Sequence, residues 1–214
     1  MATASTSLSK IKANSLNLAG TFGFSGTVSG LADETPLVLI STFTSDGSDA
    51  TATFTSGIDS TYKEYLFVFN NIHCETNDKH LTFQTSTDGG SSYGVTLTNT
   101  NFRAAHKEDG SFTFLGYVDN DVAQGTSFAV INEGLGNADD ASCSGTLRLY
   151  NPSSTTFVKH YVSQLSGMNF QSPPQATNYF TAGYFNTTSA INAVQFKMSS
   201  GEIQGGTIDL FGVV

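Results

Sequence analysis

From Leu37 onward, apolar and polar residues alternate in short runs, as in Leu81/Phe83/Thr85, Leu147/Leu149 and Val194/Phe196/Met198. Alternation with period two puts successive side chains on opposite faces of an extended backbone, so each run predicts a strand with one buried face. The runs are Leu37–Thr44, Ala50–Thr55, Glu64–Ile72, His80–Thr87, Gly94–Thr98, Asn101–His106, Thr126–Ile131, Cys143–Tyr150, Thr156–Ser166, Tyr179–Phe185, Ala193–Met198 and Gly206–Val213. With two of these merging into neighbours, about ten strands are expected. Ser45-Asp46-Gly47-Ser48, Thr87-Asp88-Gly89-Gly90, Asn151-Pro152-Ser153-Ser154 and Ser199-Ser200-Gly201 separate them, and their residue types are those that set turns. Short strands at such spacing form a sandwich or a barrel. At this length the expectation is an all-β, jelly-roll-like antiparallel β-sandwich over residues 36–214. Between Gly116 and Asp140 the pattern thins to a long acidic excursion interrupted by Thr126–Ile131, and no internal repeat is evident.

Residues 1–35 follow a different pattern. Ile11, Leu16, Leu18, Phe22, Phe24, Val28 and Leu31 are strung along a Gly/Ser/Thr-rich background, with period two in Leu16/Leu18 and Phe22/Phe24. This is too little apolar surface to form a core, so the segment reads as an extended N-terminal leader. It docks on a partner, intertwines with copies of itself, or stays disordered. Ile11, Leu16, Leu18, Phe22, Phe24 and Val28 are the candidate anchoring and oligomer contacts. Pro36 closes the segment and holds the residue before it extended.

Composition sharpens this picture. Charged residues make up only 13% of the 214, below the roughly 25% of an average soluble protein. The surface must then be carried by Ser, Thr, Asn and Gly. Net charge is −9, with few Lys and Arg, which leaves no electrostatic footprint for a phosphate backbone, so nucleic acid is not an expected partner. The N-terminal residues lack the apolar stretch of a signal peptide, and the longest aliphatic run, Leu37–Ile40, is too short to enter a bilayer. Neither secretion nor membrane insertion is expected, and the Asn186-Thr187-Thr188 sequon reads as an ordinary loop.

Candidate chemistry is sparse. Ser86-x-Asp88-x-Gly90-x-Ser92-Tyr93 fits the Asp-box pattern of sialidase-like propellers. It occurs once here, whereas propellers repeat it blade by blade. Hairpin chemistry is enough to explain it, with Asp88 capping amides and Gly89-Gly90 supplying the turn. Asp119-Asn120-Asp121 and Asp139-Asp140 are oxygen-rich but lack the EF-hand pattern, so a solvated acidic loop and a calcium site both stay open. His73, His80, His106 and His160 show no ligand spacing, and no Gly-x-Ser-x-Gly elbow or phosphate loop is present. Cys74 and Cys143 read as small buried hydrophobes, with pairing left open. Most Phe residues fall on core positions, whereas Tyr93, Phe102, Phe112 and Phe170 are candidate surface contacts on loops. The expectation is a non-enzymatic protein with no catalytic, cofactor-binding or metal residues.

Phe54-Thr55-Ser56-Gly57-Ile58-Asp59-Ser60-Thr61-Tyr62-Lys63-Glu64-Tyr65, Phe83–Gly90, Gly145–Pro152, Ala182–Asn186 and the closing Gly206-Thr207-Ile208-Asp209-Leu210-Phe211-Gly212 appear in order along residues 50–214. This ordered set resembles virion structural proteins of tailed, often marine, bacteriophages, of tail-fibre or decoration type. Lys10–Leu16 is similar to the leading segments of phage fibre proteins. The resemblance implies a protein made in the host cytoplasm and exposed on the particle. It implies other virion proteins as partners and contact with a host surface glycan or protein. Sharing of the leader's apolar residues about an axis adds the expectation of a homo-oligomer, a trimer. A capsid decoration or cement protein is the alternative, and a glycan hydrolase the least favoured reading.

Overall fold

A computed structural model describes residues 36–214; the candidate leader contacts Ile11, Leu16, Leu18, Phe22, Phe24 and Val28 lie outside the described residues. Every regular element is a strand: β1 (Leu37–Thr44), β2 (Ala52–Phe54), β3 (Glu64–Cys74), β4 (Lys79–Ser86), β5 (Leu97–Lys107), β6 (Thr113–Tyr117), β7 (Ala129–Leu135), β8 (Cys143–Tyr150), β9 (Lys159–Asn169), β10 (Gln175–Phe185), β11 (Ala193–Met198) and β12 (Ile203–Val213). All pairings are antiparallel.

The strands form two layers. One runs β1-β12-β3-β8-β9-β10-β5-β6 and the other β2-β11-β4-β7, and a single pair, Leu135 with Asn169, links β7 to β9 at the side of the sandwich. Without β5, β6, β9 and β10, the remaining sheets are β1-β12-β3-β8 and β2-β11-β4-β7. Their interleaving is that of a jelly roll, two Greek keys wrapped face to face. The other four strands are two hairpin-like insertions, β5/β6 between β4 and β7 and β9/β10 between β8 and β11. Both add to the same sheet beyond β8. They meet where β10 pairs with β5 along all eleven residues, from Gln175 with Lys107 to Phe185 with Leu97.

Inward-facing residues of both layers make the core. Phe196 of β11 lies 5.1 Å from Phe67 and from Phe69 of β3 across the sandwich, edge to face, and stacks on Phe83 of β4 at 6.0 Å. Phe54 of β2 meets both Phe67 and Phe196. Edge-to-face aromatics add to the burial of their large apolar area. Further along, the inner faces of the insertions become polar: Asn99, Asn101, Ser163, Thr177 and Thr181 are buried there. Thr181 Oγ1 donates to Val130 O at 3.0 Å, and Asn99 Oδ1 accepts from the Val122 amide at 2.6 Å.

That polar interior accounts for the differences from the expected strands. Gly94–Thr98 and Asn101–His106 belong largely to one strand, β5, which begins at Leu97 and whose buried middle is Asn99 and Asn101 rather than aliphatic. β10 begins four residues early, through Gln175-Ala176-Thr177-Asn178, and β9 runs on to Asn169. The acidic excursion is shorter than expected. Its first residues, Gly116 and Tyr117, belong to β6, where Gly116 pairs with Arg103, and its interior strand β7 runs from Ala129 to Leu135.

Truncating Phe196→Ala removes the ring that touches four neighbours from three strands. It should lower unfolding free energy by about 3–5 kcal/mol in chemical denaturation, with the two sheets losing cooperativity together.

Candidate functional site

The antiparallel register of β9, β10, β5 and β6 decides which side chains share the solvent face of the large sheet. Phe102 pairs with Phe180 on one side and Tyr117 on the other, and Phe180 pairs with Gln164. The Phe102 and Phe180 rings stack at 4.6 Å with an 8° interplanar angle. Phe102 is thus a mid-strand residue, not a loop aromatic. The next row is Val162, Ala182 and Thr100, and beyond it His160, Tyr184 and Thr98. On the other side lie Ala104 and Leu115. Leu115 is 76% exposed, Tyr117 59%, Phe102 46% and Val162 45%.

A shallow groove of about 350 Å³ runs past His160, Val162, Ala182 and Tyr184 along this face, and a smaller apolar depression of about 180 Å³ opens between Phe102, Phe180 and Val162. Hydrogen-bonding groups rim it. Gln124 Nε2 donates to Thr98 Oγ1 at 2.7 Å, and Asn186 Nδ2 donates to Gln124 Oε1 at 2.7 Å. Tyr117 Oη donates to Asp121 Oδ2 at 2.6 Å, which fixes the ring at the sheet edge. The outward positions of β9, β10, β5 and β6 carry no Lys, Arg, Asp or Glu; His106 and His160 are their only titratable groups apart from the tyrosines. A contiguous apolar and aromatic patch bordered by hydrogen-bonding groups, with the Asp121 carboxylate at the β6 edge, is what a binding surface looks like. In the sequence, Phe102 was legible as a surface aromatic, though placed on a loop; its neighbours on the face were not.

The other candidate residues fall elsewhere. The expected hairpin at Asp88, Gly89 and Gly90 is instead a turn in the connection from β4 to β5, because β4 pairs with β7 and β11 and β5 pairs with β10 and β6. In that turn Asp88 Oδ1 accepts from Ser86 Oγ at 2.5 Å and from the Ser92 amide at 3.0 Å, while Asp88 Oδ2 accepts from Ser92 Oγ at 2.6 Å. Gly89 and Gly90 have φ of +73° and +90°. A Cβ on Gly90 would crowd Thr55 Cγ2 at 2.7 Å and Tyr93 Oη at 2.8 Å, so this turn requires glycine. Tyr93 therefore packs its hydroxyl against this turn rather than offering it to solvent. The hydroxyl and amide donors hold the Asp88 carboxyl down at about 2.

Cys74 and Cys143 are free and buried. Burial raises the Cys74 thiol to about 11, and it raises Cys143 further; both stay protonated. His73 donates a ring N–H to Ala138 O, His80 Nδ1 accepts from the Gly134 amide, and His160 lies 6.0 Å from the Tyr184 ring, so the histidines serve separate places. Asp119, Asp139 and Asp140 are exposed, and among the described residues no three His, Cys, Asp or Glu side chains assemble into a metal-binding set. Phe112 and Phe170 sit on loops at a second cleft, beside Arg103 and Glu133.

Comparison with protein-family models, curated proteins and solved structures returns no match.

The depressed Asp88 carboxyl carries a pH signature. Its stabilising bonds are fully present above its unfolded value of 3.8 and are lost as pH falls through its folded value of about 2. Wild type should therefore melt higher than Asp88→Asn at pH 7, and the gap in Tm should narrow steadily between pH 4 and about pH 2. A gap independent of pH would mean that charge contributes nothing to the turn.

Proposed function

We propose that this chain is a surface protein of a tailed-phage virion, of fibre type. In this reading residues 1–35 attach or oligomerise the protein, and the jelly roll makes contact through the solvent face of its large sheet. The stacked Phe102–Phe180 pair carries the reading. Two aromatic rings project outward from the middle of a rigid eight-stranded layer, at the centre of an uncharged patch, with no core to serve there. Side chains on sheet strands hold their positions better than side chains on loops, so such a face is preorganised for contact and loses little entropy on binding. Its lack of formal charge suits a partner surface met through burial and hydrogen bonds rather than salt-sensitive attraction. The resemblance of Phe54–Tyr65, Phe83–Gly90 and Gly206–Gly212 to phage virion proteins points the same way.

The partner is a host surface component, a glycan or a protein. Pre-incubating host cells with purified wild-type protein should then slow adsorption of the encoding phage. The double variant Phe102→Ala/Phe180→Ala should lose that competition by at least about tenfold, which corresponds to about 1.4 kcal/mol of contact. The double variant should still melt near wild type, since both rings face solvent. Antibody labelling confined to the head lattice, with no effect of the protein on adsorption, would replace the adhesion reading with that of a capsid decoration protein.

A further inference from the structure

A second cleft lies at one end of the insertions, on the opposite side of β5 from Phe102. It has a volume of about 250 Å³ and is lined by Asp78, Arg103, Phe112, Glu133, Gly134, Asn169, Phe170, Gln171 and Gln175. The β5–β6 turn brings Phe112, the β9–β10 loop brings Phe170 and Gln171, and β7 brings Glu133 and Gly134. We propose that this cleft binds a neutral saccharide through a single pyranose ring, and that it is a binding site separate from the aromatic outer face.

The lining pairs donors with acceptors. Arg103 Nη1 donates to Glu133 Oε2 at 2.6 Å, and both side chains are largely covered, at 18% and 23% exposure. The guanidinium lies over the Phe114 ring at 5.4 Å, and Phe114 stacks on Phe112 at 6.5 Å, so its plane is fixed. One of the five guanidinium N–H donors is used in that ion pair, and Nε, though buried, has no acceptor among the described residues. Glu133 keeps its second carboxylate oxygen for a donor. The Gln171 and Gln175 side-chain amides make no hydrogen bond among the described residues, although Gln175 is only 7% exposed. The cleft therefore presents donors and acceptors side by side. A hydroxyl is both donor and acceptor, and a ring carrying several hydroxyls satisfies such a mixed set where a plain acid or amine satisfies half of it.

Asp78 and Glu133 face Arg103, so the lining holds two carboxylates and one guanidinium, in a chain of net charge −9. An anionic ligand meets carboxylates on two sides, and an ammonium meets the guanidinium. A neutral ligand pays neither desolvation cost.

The walls of the cleft are held in place. The Phe170 amide donates to Gly134 O at 2.9 Å, and the Lys107 amide donates to Phe112 O at 3.0 Å, so both aromatic residues stand on pinned backbone. Asn169 Oδ1 accepts from the Gln171 amide at 2.9 Å and shapes the loop between them. Gly134, at φ +66°, leaves the floor open: a Cβ there would run into Asn169 Nδ2 at 2.7 Å. Aromatic walls with a polar floor match the two surfaces of a pyranose, its C–H face and its hydroxyl edge.

The test uses the full chain and a probe panel of D-glucose, D-galactose, D-mannose and N-acetyl-D-glucosamine as methyl glycosides, with D-glucuronate and L-lysine as charged controls. Saturation-transfer NMR should show saturable binding of at least one neutral glycoside, with a Kd on the order of 1 mM as expected for a single ring. Phe170→Ala and Gln171→Ala, both on the loop, should each weaken it by about tenfold. Phe102→Ala/Phe180→Ala should leave it unchanged, which separates this site from the outer face and lets either proposal fail alone. Binding of none of the neutral glycosides, binding undiminished by Phe170→Ala in protein that melts like wild type, or binding confined to the charged controls would each overturn the assignment.

Discussion

The sandwich depends on the burial of Phe196 between its two layers. This one ring on β11 touches Phe67 and Phe69 from the facing sheet and Phe54 and Phe83 from its own. The facing strands of the two sheets are apolar on their inner side and do not hold their shape until that side is covered. The aromatic cluster supplies the cover, and with it the separation and alignment of the layers. Everything outside it, the edges, insertions and loops, is arranged on a scaffold that this contact holds closed.

A second constraint builds on the first. A jelly roll whose sheet ended at β8 would present that strand's free N–H and C=O groups to solvent, a template for unwanted pairing. Here β9 continues the ladder, β10 pairs β9, and β5 arrives from another part of the chain to pair with β10 along its full length. The edge is moved outward to the short β6, where Tyr117 is tied to Asp121. The extension also doubles the width of the layer. That added width is what lets Phe102 and Phe180 stand side by side on a flat face, and what brings the Phe112 turn and the Phe170 loop together at its end.

The two surfaces so created differ in chemistry because they lie on opposite faces of the same strands. Residues of even number along β5 point to solvent and are small, aromatic or hydroxylic. Those of odd number point inward and include Asn99, Asn101 and Arg103. Asn99 accepts from the Val122 amide and donates to Asn101 Oδ1, and Arg103 pairs with Glu133, while Asn101 Nδ2 and Arg103 Nε keep no partner among the described residues. Lys159, buried on β9 with Nζ donating to Thr187 O at 3.0 Å, belongs to the same polar interior, and burial lowers its pKa. By contrast Cys74 and Cys143, in the apolar region, are held as inert thiols by the same desolvation that raises their pKa values.

The sequence by itself determined that the described chain is built of strands, and where many of them lie. Leu37–Thr44, Cys143–Tyr150 and Ala193–Met198 match to the residue; the last two carry inward apolar residues against the core, and the first is an edge strand bounded by Pro36 and the Asp46 turn. The Asp88 turn was legible for a local reason, since its residues satisfy one another within a few positions. The extent of β5, β9 and β10 was hidden, because a strand facing a polar interior shows no period-two apolar signal. Only the tertiary structure decided that two insertions meet, that Phe102 and Phe180 become neighbours, and that Phe112, Phe170, Arg103 and Glu133 share a cleft. Those contacts join residues tens of positions apart. They follow from strand pairing and register, and a backbone ladder accepts nearly any side chain that fits the pleat.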